Sequence, residues 1–199
     1  MPIDFLYPTP FYYSNVDDYS GVKEEVDLLV DNSDFDYHPE WGNNHKLSDP
    51  TFSQNPVLYM EKTRSEIQTH IGRYLQAIKF HQSLEYTGAA NYTVVSSWLS
   101  QFDKGEYAHV HSHAHHEISG VYYHQVKGDQ GQFFVESPVP QMTSSFVFNH
   151  MSQSLKISPT PGMILLFPGY LYHGVYANQT DDVRISLSFN VSFQKPYFS

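Results

Sequence analysis

From about residue 91 the chain breaks into short runs of apolar, aromatic and β-branched residues: NYTVVSSWLSQF, EISGVYYHQV, GQFFVES, SFVFN, LKIS, MILLFP, HGVYAN and RISLSFNVSFQ. Turn-forming clusters part them: DKG, KGDQG, PVP, PTPG and QTDD. Gly, Pro, Asn and Asp at those points end a strand because they supply the backbone angles a reversal needs. Several short strands at this spacing satisfy their backbone groups by closing into a sandwich or barrel. The aromatic content, 16% with 16 Tyr and 14 Phe, suits such half-buried pleated surfaces.

The first ninety residues have a different character. Residues 3–13 alternate apolar and aromatic side chains around Pro8 and Pro10 and read as an extended edge strand. A helix is expected over 16–31, capped by Ser14 or Asn15, with acidic residues in its first turn and Val22, Val26, Leu28, Leu29 and Val30 as apolar positions. Residues 32–56, rich in Asp, Asn, Pro and Gly, read as loop. A longer helix is expected from Val57 to about Phe80, because Leu58, Ile67, Ile71, Tyr74, Leu75 and Ile78 recur at helical spacing. With 199 residues and no linker-like stretch, the chain reads as one mainly β domain over 1–199, with a strand and supporting helices over 1–90 and a β core over 91–199.

Charge and composition narrow the function classes. Lys plus Arg number 11 against 21 Asp plus Glu, a formal net charge of −10, which disfavours nucleic acid as a partner. The absence of cysteine removes disulfide scaffolds, thiolate metal sites and a thiol nucleophile. The N-terminus has no basic segment leading into an apolar run, and no apolar stretch approaches the roughly 20 residues of a membrane span. These features read as a cytoplasmic protein.

Three segments carry chemistry. The densest is His109-Val-His111-Ser-His113-Ala-His115-His116-Glu117. If it is extended, residues 109, 111 and 113 share a face. Three imidazoles on one face are costly to bury apart from a shared metal, and imidazole suits Fe, Zn, Cu and Ni. The second is Pro161-Gly162 leading through an apolar strand to Phe167-Pro168, with His173 just beyond; taken alone, such a histidine is more often structural. The third is Arg184-Ile-Ser186, which opens a strand whose Arg184, Ser186, Ser188 and Asn190 lie opposite Ile185, Leu187 and Phe189. An arginine turned into an apolar barrel needs an anion, and a carboxylate held by its planar fork supplies one. On an exposed face, Arg184 would instead meet Asp181 or Asp182.

In combination these residues resemble the 2-oxoglutarate/Fe(II)-dependent dioxygenase superfamily, and most of all a family of small prolyl-hydroxylase-like proteins of bacteria and of phages of marine cyanobacteria. The elements that carry the resemblance are Trp98, Gly105, His111 with His113, Ser119-Gly120-Val121-Tyr122-Tyr123, Gly162, Phe167-Pro168, His173 and Arg184 through Asn190, with Tyr-Pro-Thr-Pro near the N-terminus. The resemblance implies a double-stranded β-helix core, jelly-roll or cupin-like, with iron(II) at its open end. It implies His111 and His173 as ligands, Arg184 and Ser186 on the remote carboxylate of 2-oxoglutarate, and a further hydrogen bond from Tyr122 or Tyr123. The protein would then consume O2 and 2-oxoglutarate, release succinate and CO2, and hydroxylate a protein side chain or a small molecule. Its place would be the cytoplasm of the cell, or of the host if phage-encoded.

The departure from that family is at the third ligand. The superfamily has Asp or Glu two residues after the first histidine, where this chain has His113. His113 is the expected ligand, with His109 or Glu117 as alternatives. The neutral imidazole keeps open a cupin-type three-histidine metalloenzyme that does not use 2-oxoglutarate, or a non-catalytic metal-binding module. The Tyr- and Phe-rich strands also fit a homodimer.

Overall fold

The computed structural model describes residues 9–38, 44–49, 51–78, 92–147, 149 and 154–193. Two antiparallel sheets and a helical layer stack in three tiers. The larger sheet runs β1 (Tyr12–Asn15), β9 (Met163–Pro168), β6 (Ile118–Gln125), β11 (Arg184–Phe193), β4 (Tyr92–Phe102), β3 (Lys46–Leu47) and β2 (Asp36–Tyr37). The smaller runs β5 (Ala108–His111), β10 (His173–Val175), β7 (Phe133–Val135) and β8 (Leu155–Ile157). This is the expected mainly β architecture, the double-stranded β-helix.

Strand alternation divides the interior in two. On β11, Ile185, Leu187, Phe189 and Val191 join an apolar cluster with Val22 and Val26 of α1 (Tyr19–Asp31) and Ile67, Ile71 and Leu75 of α2 (Glu61–Ala77). The opposite face of the sheet meets the smaller sheet through a second cluster that includes Phe102, Tyr123, Leu165, Phe133 and Val175. Arg184, Ser186, Ser188 and Asn190 therefore point between the sheets, as their spacing requires. No helix among the described residues is long and apolar enough to cross a membrane.

Several boundaries differ from the sequence expectation, each because of a tertiary contact. The first helix starts at Tyr19, not 16. Its cap is Asp18, whose carboxylate accepts the Gly21 N–H at 2.9 Å, while Ser14 and Asn15 end β1. The acidic residues precede the helix instead of filling its first turn. The cause is Glu66 of α2, which takes the N–H groups of Asp17 and Asp18 at 2.8 and 3.1 Å and fixes the entry of the chain. The second helix is split. A 3-10 turn over Pro56–Tyr59 is tied to β4 by the Val57 N–H on Ser97 Oγ, and α2 begins at Glu61. Within the expected 32–56 loop, β2 and β3 extend the sheet past β4. SFVFN forms no strand among its described residues; a 3-10 turn over Pro140–Ser144 runs into it. The edge strand is confined to 12–15, its expected beginning at 3–8 and the end of the second helix at 79–80 lying outside the described residues.

Candidate metal centre and active-site cavity

β5 and β10 pair antiparallel with His111 directly opposite His173. The ring centroids of these two histidines lie 4.4 Å apart, and those of His113 lie 5.1 Å from His111 and 5.2 Å from His173. One donor nitrogen from each of the three falls within 4.8 Å of the others. His113 does not arrive by strand alternation, because β5 ends at His111. A turn brings it in: its N–H donates to the Gly169 carbonyl at 2.7 Å and its carbonyl accepts the His116 N–H at 2.8 Å. A Cβ at position 169 would sit 2.0 Å from the His116 carbonyl oxygen, so glycine is what lets β9 and this turn approach.

The chemistry of the three imidazoles fits a divalent metal. The Nδ1 of His111 lies 2.8 Å from the His109 carbonyl and that of His173 lies 2.8 Å from the Leu171 carbonyl. A carbonyl only accepts, so each Nδ1 carries the proton and each Nε2 carries the lone pair. Burial pushes His111 down, His113 down to about 3 and His173 well below its usual value. All three are neutral near pH 7, the form that coordinates a metal. His109 and Glu117 are not part of this group. The His109 Nδ1 meets the Asn44 carboxamide at 3.2 Å, and the Glu117 carboxylate accepts the Phe193 N–H at 3.2 Å.

The histidines open on a narrow cavity between the sheets, about 60 Å³ in volume. At its far end stands Arg184, 1% exposed. One terminal nitrogen donates to the carbonyls of Gly131 and Gln130 at 2.9 and 3.3 Å, and the guanidinium lies 5.0 and 5.1 Å from the ring centres of Phe102 and Tyr123. Asp181 and Asp182 pair instead with Lys104 and Lys127, at 2.8 and 2.9 Å. Among the described residues no carboxylate pairs with Arg184, and its Nε has no hydrogen-bond partner. A buried cation left so costs several kcal/mol, roughly, which a bound carboxylate relieves.

Ser186 lines the same cavity and is buried. The two candidate tyrosines part company. Tyr123 faces the cavity with its hydroxyl buried beside the Arg184 guanidinium; burial raises it to about 12 against the lowering effect of that charge, so it is neutral and can donate. Tyr122 turns to the helical layer and does not line the cavity.

One lining residue had no signal in the sequence. His45 is buried, stacks on Phe102 at 4.6 Å and 7°, and is lowered to about 4, chiefly by burial. It precedes a two-residue strand in a polar stretch, and only the pairing of β3 with β4 carries it inward.

Residues 96–190, which supply most of this cavity, match the family model described as "Putative 2OG-Fe(II) oxygenase". No curated protein matches the chain. Among solved structures, a Pseudomonas putida prolyl-4-hydroxylase is 13% identical over 96% of this chain and 95% of its own, with a TM-score of 0.57. A Trichoplax adhaerens prolyl hydroxylase, solved with a hypoxia inducible factor peptide fragment, is 13% identical over 94% and 85%, with a TM-score of 0.60. The epimerase SnoN, solved with Fe3+, alpha ketoglutarate and nogalamycin RO, is 12% identical over 92% and 79%, with a TM-score of 0.64. At these identities the structural likeness is one of fold. The family match over residues 96–190, slightly under half of the chain, and the histidine group agree with that fold and support an oxygenase of the 2OG-Fe(II) kind.

Proposed function

We propose that His111, His113 and His173 hold the iron and that Arg184 and Ser186 hold the remote carboxylate of 2-oxoglutarate, with Tyr123 as a further donor. The observation that carries this is the buried Arg184, which has no carboxylate partner among the described residues and shares a cavity with the histidines. When bound, iron(II) with 2-oxoglutarate and O2 supplies oxidation of a substrate C–H bond, releasing succinate and CO2. The chain's own part is to bind, orient and shield. The carbonyls of His109 and Leu171 fix the tautomers of two ligands. Gln130 and Gly131 hold one edge of the guanidinium, leaving the other for the dicarboxylate. Phe133 and Phe167, at the His173 ring, exclude water from the metal end.

The substrate is a protein side chain or a small molecule. The work is done in a single domain over 1–199, the β core over 91–199 resting on the segment before it. The net charge of −10 argues against nucleic acid, exposed tyrosines such as Tyr170 and Tyr172 suit a homodimer contact, and the cysteine-free composition suits the cytoplasm of a cell or of a phage-infected host.

The test is succinate release from 2-oxoglutarate with Fe(II) and ascorbate, alongside 2-oxoglutarate binding. The wild-type chain turns over 2-oxoglutarate slowly even without its substrate, and Arg184→Ala loses 2-oxoglutarate affinity. Unchanged affinity in that variant would remove Arg184 from the seat. A cupin-type centre that does not use 2-oxoglutarate draws support from the third imidazole; it predicts metal binding with no effect of 2-oxoglutarate in the same assay.

A further inference from the structure

Two residues of the family-like pattern, Trp98 and Asn190, have no part in holding metal or 2-oxoglutarate, yet both are buried and line the cavity. Their position along the sheet is informative. The inward face of β11 runs Arg184, Ser186, Ser188, Asn190, a span of about 20 Å at strand rise. Ser188 pairs with Trp98, and the Trp98 ring lies 5.9 Å from His113. The row of Trp98 is thus the row of the metal group. Arg184 stands two steps to one side and Asn190 one step to the other. The dicarboxylate occupies the Arg184 side, which leaves the Asn190 side for the prime substrate.

That side is built to hold a shape. Phe52 meets Trp98 edge-on, at 5.0 Å and 80°. Among the described residues Phe52 is the one non-glycine with positive φ, at 52°, a conformation that is costly for a bulky side chain. The Asp49 carboxylate maintains it by accepting the N–H groups of Thr51 and Gln54 at 3.1 and 2.6 Å and the Thr51 hydroxyl at 2.6 Å. The result is a braced indole wall beside the metal end. Beside it, on the neighbouring strand of the same sheet, the Asn190 carboxamide is fixed: its Oδ1 accepts from Ser119 Oγ at 2.9 Å and its Nδ2 donates to Ser96 Oγ at 3.1 Å. A carboxamide has two acceptor positions and two donor hydrogens. One of each remains, the complement of an amide group.

We propose that Asn190 and Trp98 form the prime-substrate seat and select an uncharged, amide-bearing group, whose apolar portion lies against the indole while the amide pairs with the Asn190 carboxamide. This rests on the oxygenase reading above and names the chemistry that the same cavity recognises beside 2-oxoglutarate. Asn190 is a specificity-determining residue and Phe52 a positioning residue that acts through Trp98.

The chain has two tryptophans, Trp41 and Trp98, so a Trp41→Phe background, excited at the red edge where tyrosine does not absorb, leaves Trp98 as the sole indole fluorophore. That protein, loaded with zinc(II) as a redox-inert stand-in and with 2-oxoglutarate, is titrated with a panel of N-acetyl amino-acid N-methylamides and with the corresponding free amino acids. Blocked amides should change Trp98 emission saturably, and free zwitterions should bind at least about tenfold more weakly. Asn190→Asp, near-isosteric but charged, should weaken the blocked amides by about tenfold or more while the Kd for 2-oxoglutarate stays within about twofold. Phe52→Ala should weaken the same probes with 2-oxoglutarate affinity again preserved. Equal binding of amides and free amino acids overturns the inference, as does an Asn190→Asp variant that loses 2-oxoglutarate as much as it loses the amide. If metal and 2-oxoglutarate bind but no amide does, this inference falls and the oxygenase reading stands; if metal and 2-oxoglutarate fail to bind, both fall.

Discussion

At the scale of single residues, the site depends on which side chains are charged once buried. Arg184 is the cation, and its shape matters as much as its charge. Lysine at 184 keeps the charge but loses the planar fork and the fixed contacts to Gln130 and Gly131. Arg184→Lys should therefore weaken 2-oxoglutarate by about tenfold or more in a calorimetric titration, with metal affinity unchanged. His113 is the opposite case, a neutral donor where the related superfamily has an anion. His113→Asp restores a carboxylate and should keep a metal centre, whereas His173→Ala removes a donor that sits at the heart of the group and should cut metal affinity at least about a hundredfold. Equal metal binding by wild type and His173→Ala, measured with manganese(II), would show that the group is not the metal site.

At the scale of elements, two short connections matter more than the strands they join. The turn after β5 carries His113 and is seated by Gly169. Gly169→Ala forces a methyl group against the His116 carbonyl, and overpacking of that kind costs about 1–3 kcal/mol. The expected result is a lowered Tm together with weaker metal binding, because the turn that moves is the one that presents His113. The second connection ends at Gly131, whose φ is +86° and whose Cβ would meet the Tyr176 carbonyl oxygen at 1.9 Å. Its own carbonyl receives Arg184. Gly131→Ala should accordingly weaken 2-oxoglutarate and leave the metal in place, the reverse of Gly169→Ala. Side-by-side titrations of the two variants separate the two ends of the cavity.

For the whole molecule, burial of neutral histidines couples stability to pH. His45 is lowered to about 4 and His113 to about 3, and His70, His124 and His173 are also lowered, in each case chiefly by burial. The unfolded chain, with histidines near 6.5, binds more protons than the folded one as pH falls below that value. The stabilising effect of keeping them neutral is thus complete above about pH 6.5 and lost as pH drops towards 4, at about 1.4 kcal/mol per pH unit for each fully shifted group. Thermal unfolding of the metal-free protein should show Tm steady from pH 8 to 7 and falling steeply from 6.5 to 5. A Tm that held constant to pH 5 would mean that these imidazoles are solvated. Saturating metal should raise Tm at pH 7.5, as any ligand specific to the folded state does.

The sequence alone determined the β character of residues 91–199 and the shared face of Arg184, Ser186, Ser188 and Asn190, because period-two alternation follows from local chemistry. That this face turns inward was left to the structure, and the link between the histidine cluster and His173 rested on the family resemblance. The sequence also identified the strand that Gly162 opens and that His173 follows. Only the tertiary structure decided among the histidines: β5 stops at His111, and the turn closed against Gly169 carries His113 in while His109 meets Asn44. It separated Tyr123 from Tyr122 by assigning each to one face of β6, and it brought in His45 and Phe52 from a polar stretch with no periodicity. It likewise moved the start of the first helix, since the N–H groups of Asp17 and Asp18 are held by Glu66, 49 and 48 residues away. The reason is the same in each case. Local pattern sets which face a residue presents, but what waits at that face is supplied by segments far along the chain, and only folding brings them into reach.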